Sequence, residues 1–299
     1  MEKRKPQVIQ SHRSHSVEPS QDGTSVGVFV RVRPPLKREI DTATNKYFSC
    51  VAVDKDTIYA TKNTKPVIVE SQALSNETDI AKFDFSAVFD EDATQELVYR
   101  RTVPKQLQAW IQGINCTLFA YGISGSGKTH TIEGTSEQPG ILPRVAEYLF
   151  SHIETVSDKD YFVEFSAIQV YMEKTYDLLD SGKEVKLRTV KEDVFFEEPY
   201  KPTKVTSLEQ LMEQYKKAQK SKVVAFTMMN SASTRGHVIY SIQVTSRHVD
   251  SGKTTQSKFN LVDLSGSERV LNSGVTGERL RESITINQSL STLVMVVEA

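Results

Sequence analysis

The chain has 299 residues, a formal net charge of −1, and 38% hydrophobic and 25% charged residues. This balance is ordinary for a globular protein and argues against a globally basic nucleic-acid-binding protein. Two cysteines are too few for a disulfide framework or a structural zinc site, so we expect reduced thiols. Apolar runs are too short for a signal peptide or a membrane span, which predicts an intracellular, soluble protein.

The first ordered element is predicted to follow a polar N-terminal segment. Residues 1–24 lack hydrophobic periodicity, which predicts a disordered tail, and we expect a single domain over residues 25–299. The stretch "VGVFVRVRPP" then predicts a strand that ends at Pro34. Its alternating residues would lie on one face of that strand: Val26, Val28, Val30 and Val32.

Strands and helices are predicted to alternate through the rest of the chain. Short strands are expected within 41–80, and two helical stretches flank Pro104, with Trp110 expected in the core. "CTLFAYG" predicts a buried strand, and Ser207 with Gln210 predicts a capping box at the start of a further helix. The remaining predicted elements are a helix in "GILPRVAEYLFSHI", strands at 163–171, 238–246 and 258–263, and a helix at 278–298. This order predicts an α/β domain with a large mixed sheet.

The loop after the "CTLFAYG" strand matches a phosphate-binding pattern at every fixed position. Glycines let backbone N–H groups approach phosphates, Lys128 would neutralise the β- and γ-phosphates, and the Thr129 hydroxyl would bind Mg²⁺. A helix beginning at the loop would add its dipole. The alternative interpretation is a flexible turn. The predicted nucleotide-binding residues here are Gly122, Ile123, Ser124, Gly125, Ser126, Gly127, Lys128 and Thr129.

A second polar loop follows the predicted strand that ends near Asp263. Asp263 would hold Mg²⁺ through a water molecule, and the backbone N–H of Gly266 would donate to a γ-phosphate. Between the two loops, "NSASTRGH" offers Ser233 and Thr234, whose hydroxyls suit Mg²⁺ and an attacking water. Arg235 could pair with Glu268. A simple turn is the alternative for the loop after Asp263, and a polar loop before a strand is the alternative for "NSASTRGH".

Together these motifs resemble the kinesin motor domain. "TLFAYGISGSGKTHT" is similar to the family's phosphate loop, "NSASTRGH" to its switch I, and "NLVDLSGSER" to its switch II. "RVRP" and "ESITINQSLSTL" resemble two further family motifs, and the resemblance covers about residues 26–297. Myosins share the loop and both switches, but the short spacing from Lys128 to Asp263 favours kinesin.

The resemblance implies a P-loop NTPase whose central mixed sheet has helices on both faces. It implies ATP and Mg²⁺ as ligands and microtubules as the partner, in the cytoplasm and cytoskeleton, with no nucleic acid involved. Arg31, Pro34 and His130 would line the adenine, and Thr234 would approach Mg²⁺ when switch I closes. The implied activity is ATP hydrolysis that changes microtubule affinity and generates force. Its implied catalytic residues are Ser233, Arg235, Gly266 and Glu268.

One departure from the family pattern bears on hydrolysis. Gly236 stands where the family has a second switch I serine, whose side chain the resemblance implicates in handling the attacking water. An alternative is therefore a kinesin-like microtubule-binding or regulatory protein that binds nucleotide and hydrolyses it weakly. An unrelated P-loop GTPase would carry an N-K-x-D signature after switch II, and none is present.

The resemblance also predicts that the sequence is truncated within the helix after switch II. We therefore expect residues 1–299 alone to be marginally stable or to aggregate, and not to cosediment productively with microtubules. The acidic stretch at 190–200, in the region of a microtubule-contacting loop of the family, would repel the acidic tubulin surface.

Overall fold

A computed structural model describes residues 26–36, 39–40, 51–61, 80–190, 193–196, 200–228 and 236–267. The predicted tail at 1–24 and the predicted helix at 278–298 lie outside these ranges, as does Cys50. The chain divides into two compact units, Met1–Ala93 and Thr94–Ala299.

The described residues of the N-terminal unit form five short strands. The first strand is three residues long, shorter than the valine alternation predicts, and Val26 and Val28 lie before it with 54% and 50% of their surface exposed. Just before this strand, the Ser86 N–H donates to the Val28 carbonyl, while the Val28 N–H donates to the Ser86 hydroxyl instead of a backbone carbonyl. The strands are β1 (Phe29–Arg31) parallel to β5 (Ala87–Phe89), and the antiparallel β2 (Val51–Asp54), β3 (Thr57–Thr61) and β4 (Ile80–Asp84).

Two helices open the larger unit, as predicted. Helix α1 (Gln95–Thr102) begins at Thr94, whose side chain accepts from the Leu97 N–H. Helix α2 (Pro104–Ile111) begins with Pro104, which needs no backbone N–H at that position. Trp110 is fully buried, and its ring stands edge-on to Phe259 at 5.3 Å between centroids. The expected core role of Trp110 is confirmed.

Seven of the described strands form a mixed sheet at the centre of this unit. One pair of its strands is parallel, Cys116–Ala120 with Thr254–Asp263, and the other pairs are antiparallel. A separate hairpin joins β10 (Leu187–Val190) and β11 (Asp193–Phe196). The sheet runs in the order β6 (Cys116–Ala120), β14 (Thr254–Asp263), β13 (His237–His248), β7 (Lys159–Tyr171), β8 (Lys174–Asp177) and β9 (Lys183–Val185), and β12 (Thr203–Val205) also pairs with β7.

One face of this sheet carries the core. Alternate residues of the three long strands are buried on it: Val163, Phe165, Ala167 and Gln169 of β7; Val238, Tyr240, Ile242 and Val244 of β13; Ser257, Phe259, Leu261 and Asp263 of β14. Helix α5 (Leu208–Met228) packs there through Tyr215, whose ring meets that of Tyr240 at 5.7 Å. Strand β6 is half-buried rather than buried, because among the described strands it pairs with β14 alone.

Two further described helices come after the glycine loop in the chain. They are α3 (Lys128–Ile132) and α4 (Ile141–Thr155), with a short 3₁₀ turn at Leu178–Asp180. The predicted cap of α5 is partly different: Ser207 accepts from the Gln210 N–H, while the Gln210 side chain accepts from Thr206. Among the described helices, none combines the length and apolar character that a membrane span needs.

Candidate nucleotide-binding site

The glycine loop joins the end of β6 to α3 and has the backbone that anion binding needs. Gly125 and Gly127 have φ angles of 76° and 101°, a region that side chains with a Cβ rarely adopt. A Cβ added at Gly127 would meet no heavy atom within 4 Å. The glycine is therefore required by the turn of the chain rather than by crowding, as expected for a loop that directs N–H groups inward.

Lys128 lies over this loop. Its Nζ donates to the carbonyl oxygens of Gly122 and Ile123, each at 2.9 Å. A lysine ammonium on a flexible stem can exchange such carbonyl partners for phosphate oxygens. Helix α3 has only five residues. A helix this short has a small dipole, so we expect the loop backbone and Lys128 to contribute more to anion binding than the predicted helix dipole.

The phosphate loop and the end of β14 meet at Thr129 and Asp263. The Thr129 hydroxyl donates to Asp263 Oδ2 at 2.6 Å. Asp263 is buried, and its Oδ1 has no hydrogen-bond partner in the described part of the chain. A hydroxyl and a carboxylate are the hard oxygen ligands that Mg²⁺ prefers, and a metal-bound water would supply the donor that Oδ1 lacks. These residues fit the predicted metal.

A buried charge network holds Asp263 in place. Lys222 of α5 lies with its Nζ 2.9 Å from Glu133 Oε1 and 3.3 Å from Asp263 Oδ2. Tyr240 donates to the same Glu133 oxygen at 2.9 Å, and Gln219 donates to the other at 3.0 Å. Burial by itself would lower the pKa of Lys222, but the two carboxylates outweigh it and the pKa is raised. The lysine therefore stays charged between its acidic partners.

The segment after Asp263 is fastened at two points on either side of Gly266. The Ser267 N–H donates to the carbonyl of Gly122 at 3.1 Å, which ties this segment to the phosphate loop. The Ser265 N–H donates to His237 Nδ1 at 3.1 Å, which ties it to β13. Burial lowers the pKa of His237, with Lys128 adding to this and Asp263 opposing it. A neutral imidazole can accept this bond.

The other predicted residues fall into two groups. Ser233, Thr234, Arg235 and Glu268 lie outside the described residues. Arg31 and Pro34 belong to the N-terminal unit, where Arg31 donates to the Ala93 carbonyl at 3.2 Å and burial lowers its pKa. His130 lies on α3 in the larger unit, and its carbonyl accepts from Gln95 at 2.6 Å.

Three buried polar residues near the site were not predicted from the sequence. Gln169 continues the buried alternation of β7, and Lys222 continues the helical spacing of the buried residues of α5. Glu133 directly follows α3. A polar residue at a core position of a periodic pattern is a usable signal, because burying it without a partner is costly. Such a pattern identifies the buried polar residue, but it does not identify the residues of other helices and strands that bond to it.

Comparison with known proteins identifies relatives over nearly the whole chain. A family model described as the kinesin motor domain matches residues 31–299. Kinesin-like protein KIF15 of Homo sapiens is 34% identical over 300 residues, 95% of this chain and 20% of that protein. Kinesin-like protein 3 of Schizosaccharomyces pombe is 35% identical over 283 residues, 92% of this chain and 48% of that protein. The chain thus spans less than half the length of either relative.

A solved structure supports the same relationship. The structure of a fast kinesin, described in terms of its ATPase mechanism and its interactions with microtubules, superposes with a TM-score of 0.79 at 30% identity. The match covers 92% of this chain and 75% of that one. It confirms the predicted fold class, a P-loop NTPase with a central mixed sheet and flanking helices.

Proposed function

This chain belongs to the kinesin family, and we propose that its motor domain binds MgATP and hydrolyses it. The observation that carries the proposal is the 2.6 Å contact between the Thr129 hydroxyl and Asp263. It brings a metal-binding hydroxyl of the phosphate loop to a buried carboxylate at the end of a strand. P-loop NTPases hold Mg²⁺ with such a pair.

Each predicted residue has a role in this proposal. Residues 122–129 hold the phosphates, while Thr129, Thr234 and, through water, Asp263 hold Mg²⁺. When bound, Mg²⁺ neutralises charge that develops on the phosphate oxygens. Adenine contacts are assigned to Arg31, Pro34 and His130. The remaining residues serve hydrolysis: Ser233, Arg235, Gly266 and Glu268.

We propose microtubules as the partner and movement along them as the outcome, in the cytoplasm and cytoskeleton. The segment around Gly266 supports a coupling of hydrolysis to partner binding. It is bonded to Gly122 of the phosphate loop and to His237 of the sheet, so a contact between Gly266 and the γ-phosphate would act on both. Order changes in such segments are a common way to convert phosphate chemistry into altered partner affinity.

A second candidate function rests on Gly236. It has no hydroxyl at a switch I position whose side chain is implicated in handling the attacking water. The second candidate is therefore a kinesin-like microtubule-binding or regulatory protein that retains nucleotide binding and hydrolyses ATP weakly.

Replacement of the loop lysine tests nucleotide binding. We expect Lys128→Ala to abolish detectable binding of a fluorescent MgATP analogue, because the variant loses the charge that faces the phosphates. Lys183→Ala, at an exposed lysine 3.8 Å from Asp180, is the matched control and should bind normally. Unchanged affinity in Lys128→Ala would overturn the assignment of the loop.

Turnover separates the two candidates. Hydrolysis of MgATP that is stimulated by microtubules supports the motor. Normal binding of the analogue with slow hydrolysis that microtubules do not stimulate supports the second candidate.

A further inference from the structure

Gly236 faces a buried glutamine. The backbone there lies outside the left-handed region, so conformation alone does not require glycine. A Cβ added at this position would lie 2.6 Å from the side-chain nitrogen of Gln169, closer than such atoms approach. The Gln169 amide therefore occupies the place into which a side chain at residue 236 would extend.

Gln169 also shares a row of the sheet with Asp263. Val238 of β13 pairs with Asp263 of β14 on one side and with Gln169 of β7 on the other. All three side chains are buried on the same face. Since neighbouring strands lie about 4.8 Å apart, the backbones of Gln169 and Asp263 are separated by roughly 10 Å. The amide is thus level with the carboxylate assigned to Mg²⁺.

The amide is linked to the segment that contains Gly266 through Gly236 and His237. Gly236 directly precedes His237, and His237 accepts the Ser265 N–H. Gln169 is only 2% exposed, yet its Oε1 has no hydrogen-bond partner in the described part of the chain. An apolar side chain of similar size would fill this space without an unpaired acceptor. Packing therefore does not account for an amide here.

We propose that Gln169 supplies, from β7, the polar group that residue 236 lacks, and that it positions the water that attacks the γ-phosphate. This inference rests on the proposed hydrolysis of MgATP. A glutamine amide both donates and accepts, so it can hold a water by its hydrogen and by its oxygen. In several P-loop GTPases a glutamine orients the attacking water, but there the glutamine comes from a different part of the fold. Gln169 would thereby compensate for the hydroxyl that is missing at residue 236 and keep hydrolysis of MgATP from being weak.

Three variants of the full chain test the proposal. Gln169→Ala should lower the single-turnover rate of MgATP hydrolysis by about tenfold or more, because it removes the group that positions the water. Gln169→Ala combined with Gly236→Ser should recover much of the rate, since the hydroxyl enters the space that the amide leaves. Gln169→Ala combined with Gly236→Ala fills that space without a polar group and should remain slow.

Two further measurements separate positioning from folding. Affinity for a fluorescent MgATP analogue should stay within about twofold in all three variants, because the change acts on hydrolysis rather than on ground-state binding. Gly236→Ser should lower the thermal unfolding midpoint more in the unsubstituted chain than beside Gln169→Ala, where the close contact is absent. Gln243→Ala is the matched control: this amide of β13 donates to Glu164 at 2.8 Å, and its removal should leave hydrolysis unchanged.

The outcomes distinguish the inference from the proposed function. A normal hydrolysis rate in Gln169→Ala, or equal recovery by Ala and Ser at residue 236, would reduce Gln169 to a packing residue while MgATP hydrolysis stands. Absence of MgATP hydrolysis in the unsubstituted chain would overturn the proposed function, and the role of Gln169 with it.

Discussion

The buried face of the central sheet has two ends that treat polar side chains differently. We call the row Gln169, Val238 and Asp263 the site end, and the row Val163, Val244 and Ser257 the turn end. At the turn end the Ser257 hydroxyl donates to the Trp110 carbonyl at 2.7 Å, a bond between two groups. At the site end, by contrast, Asp263 Oδ2 accepts from both Thr129 and Lys222.

Unpaired oxygens occur at one of these ends. In the described part of the chain, the buried side-chain oxygens without a partner are Gln169 Oε1 and Asp263 Oδ1, both at the site end. The remaining buried atom without a partner is the indole nitrogen of Trp110, which is a donor. Folding alone favours pairing of buried acceptors. The two unpaired oxygens at the site end therefore support the proposed metal site, where a metal-bound water would supply the missing donors.

The largest effect is expected from removing the positive charge of Lys222, which Glu133 and Asp263 share at the site end. Lys222→Met leaves Glu133 and Asp263 buried without their cation. We expect the free energy of unfolding to fall by about 3–5 kcal/mol, the usual result of breaking a buried ion pair on one side. Chemical denaturation with urea measures it.

The same substitution at an exposed ion pair is the control. Lys174 lies 3.1 Å from Glu184, and both side chains are largely exposed. We expect no measurable change in the unfolding midpoint of Lys174→Met, because solvent screens such pairs. Equal effects in Lys222→Met and Lys174→Met would mean that the buried ion pairs of Lys222 stabilise the fold no more than an exposed ion pair does.

A smaller effect is expected at the turn end. Ser257→Ala removes the donor to the Trp110 carbonyl in a site that is 3% exposed. We expect the free energy of unfolding to fall by about 0.5–1.5 kcal/mol, the typical net value of one such bond. Affinity for the MgATP analogue should not change. A variant that folded normally and bound the analogue poorly would contradict the separation of the two ends.

How much the sequence revealed also differs between the two ends. At the turn end, the buried face of β13 and the core position of Trp110 could be predicted from local hydrophobic pattern, whereas Ser257 lay outside the predicted strand at 258–263. Motif spacing also marked Lys128, Thr129 and Asp263, and the structure brings the last two into contact, while their roles in binding stay predictions. The contact between Lys222 and Glu133 could not, because their positions meet only after α5 packs on the sheet. Gln169 was missed for the same reason.

The length of β1 was also poorly predicted, because it depends on the partner strand and not on the hydrophobic pattern. Four alternating valines predicted a longer β1, but its described pairing covers Phe29–Arg31. Hydrophobic periodicity indicates which face of a strand can be buried, whereas the partner strand determines where hydrogen bonding ends. Val26 and Val28 therefore remain exposed although they fit the pattern.

The smallest expected effect concerns His237, and it is confined to mildly acidic solution. Burial lowers the pKa of this histidine below its ordinary value of 6.5. As the pH falls through 6.5, the unfolded chain takes up a proton while the folded chain keeps a neutral imidazole that accepts the Ser265 N–H. The unfolded state then binds more protons, so the stability decreases as the pH falls, until the folded histidine is protonated too.

A comparison of thermal unfolding against pH isolates this contribution. His237→Gln keeps a side-chain acceptor and removes the titration, while every other acidic and basic group is common to both proteins. We expect the two unfolding midpoints to differ by a constant amount above pH 6.5, and the midpoint of the unsubstituted chain to fall faster below it. Parallel curves across that range would show that His237 is not held neutral by the fold.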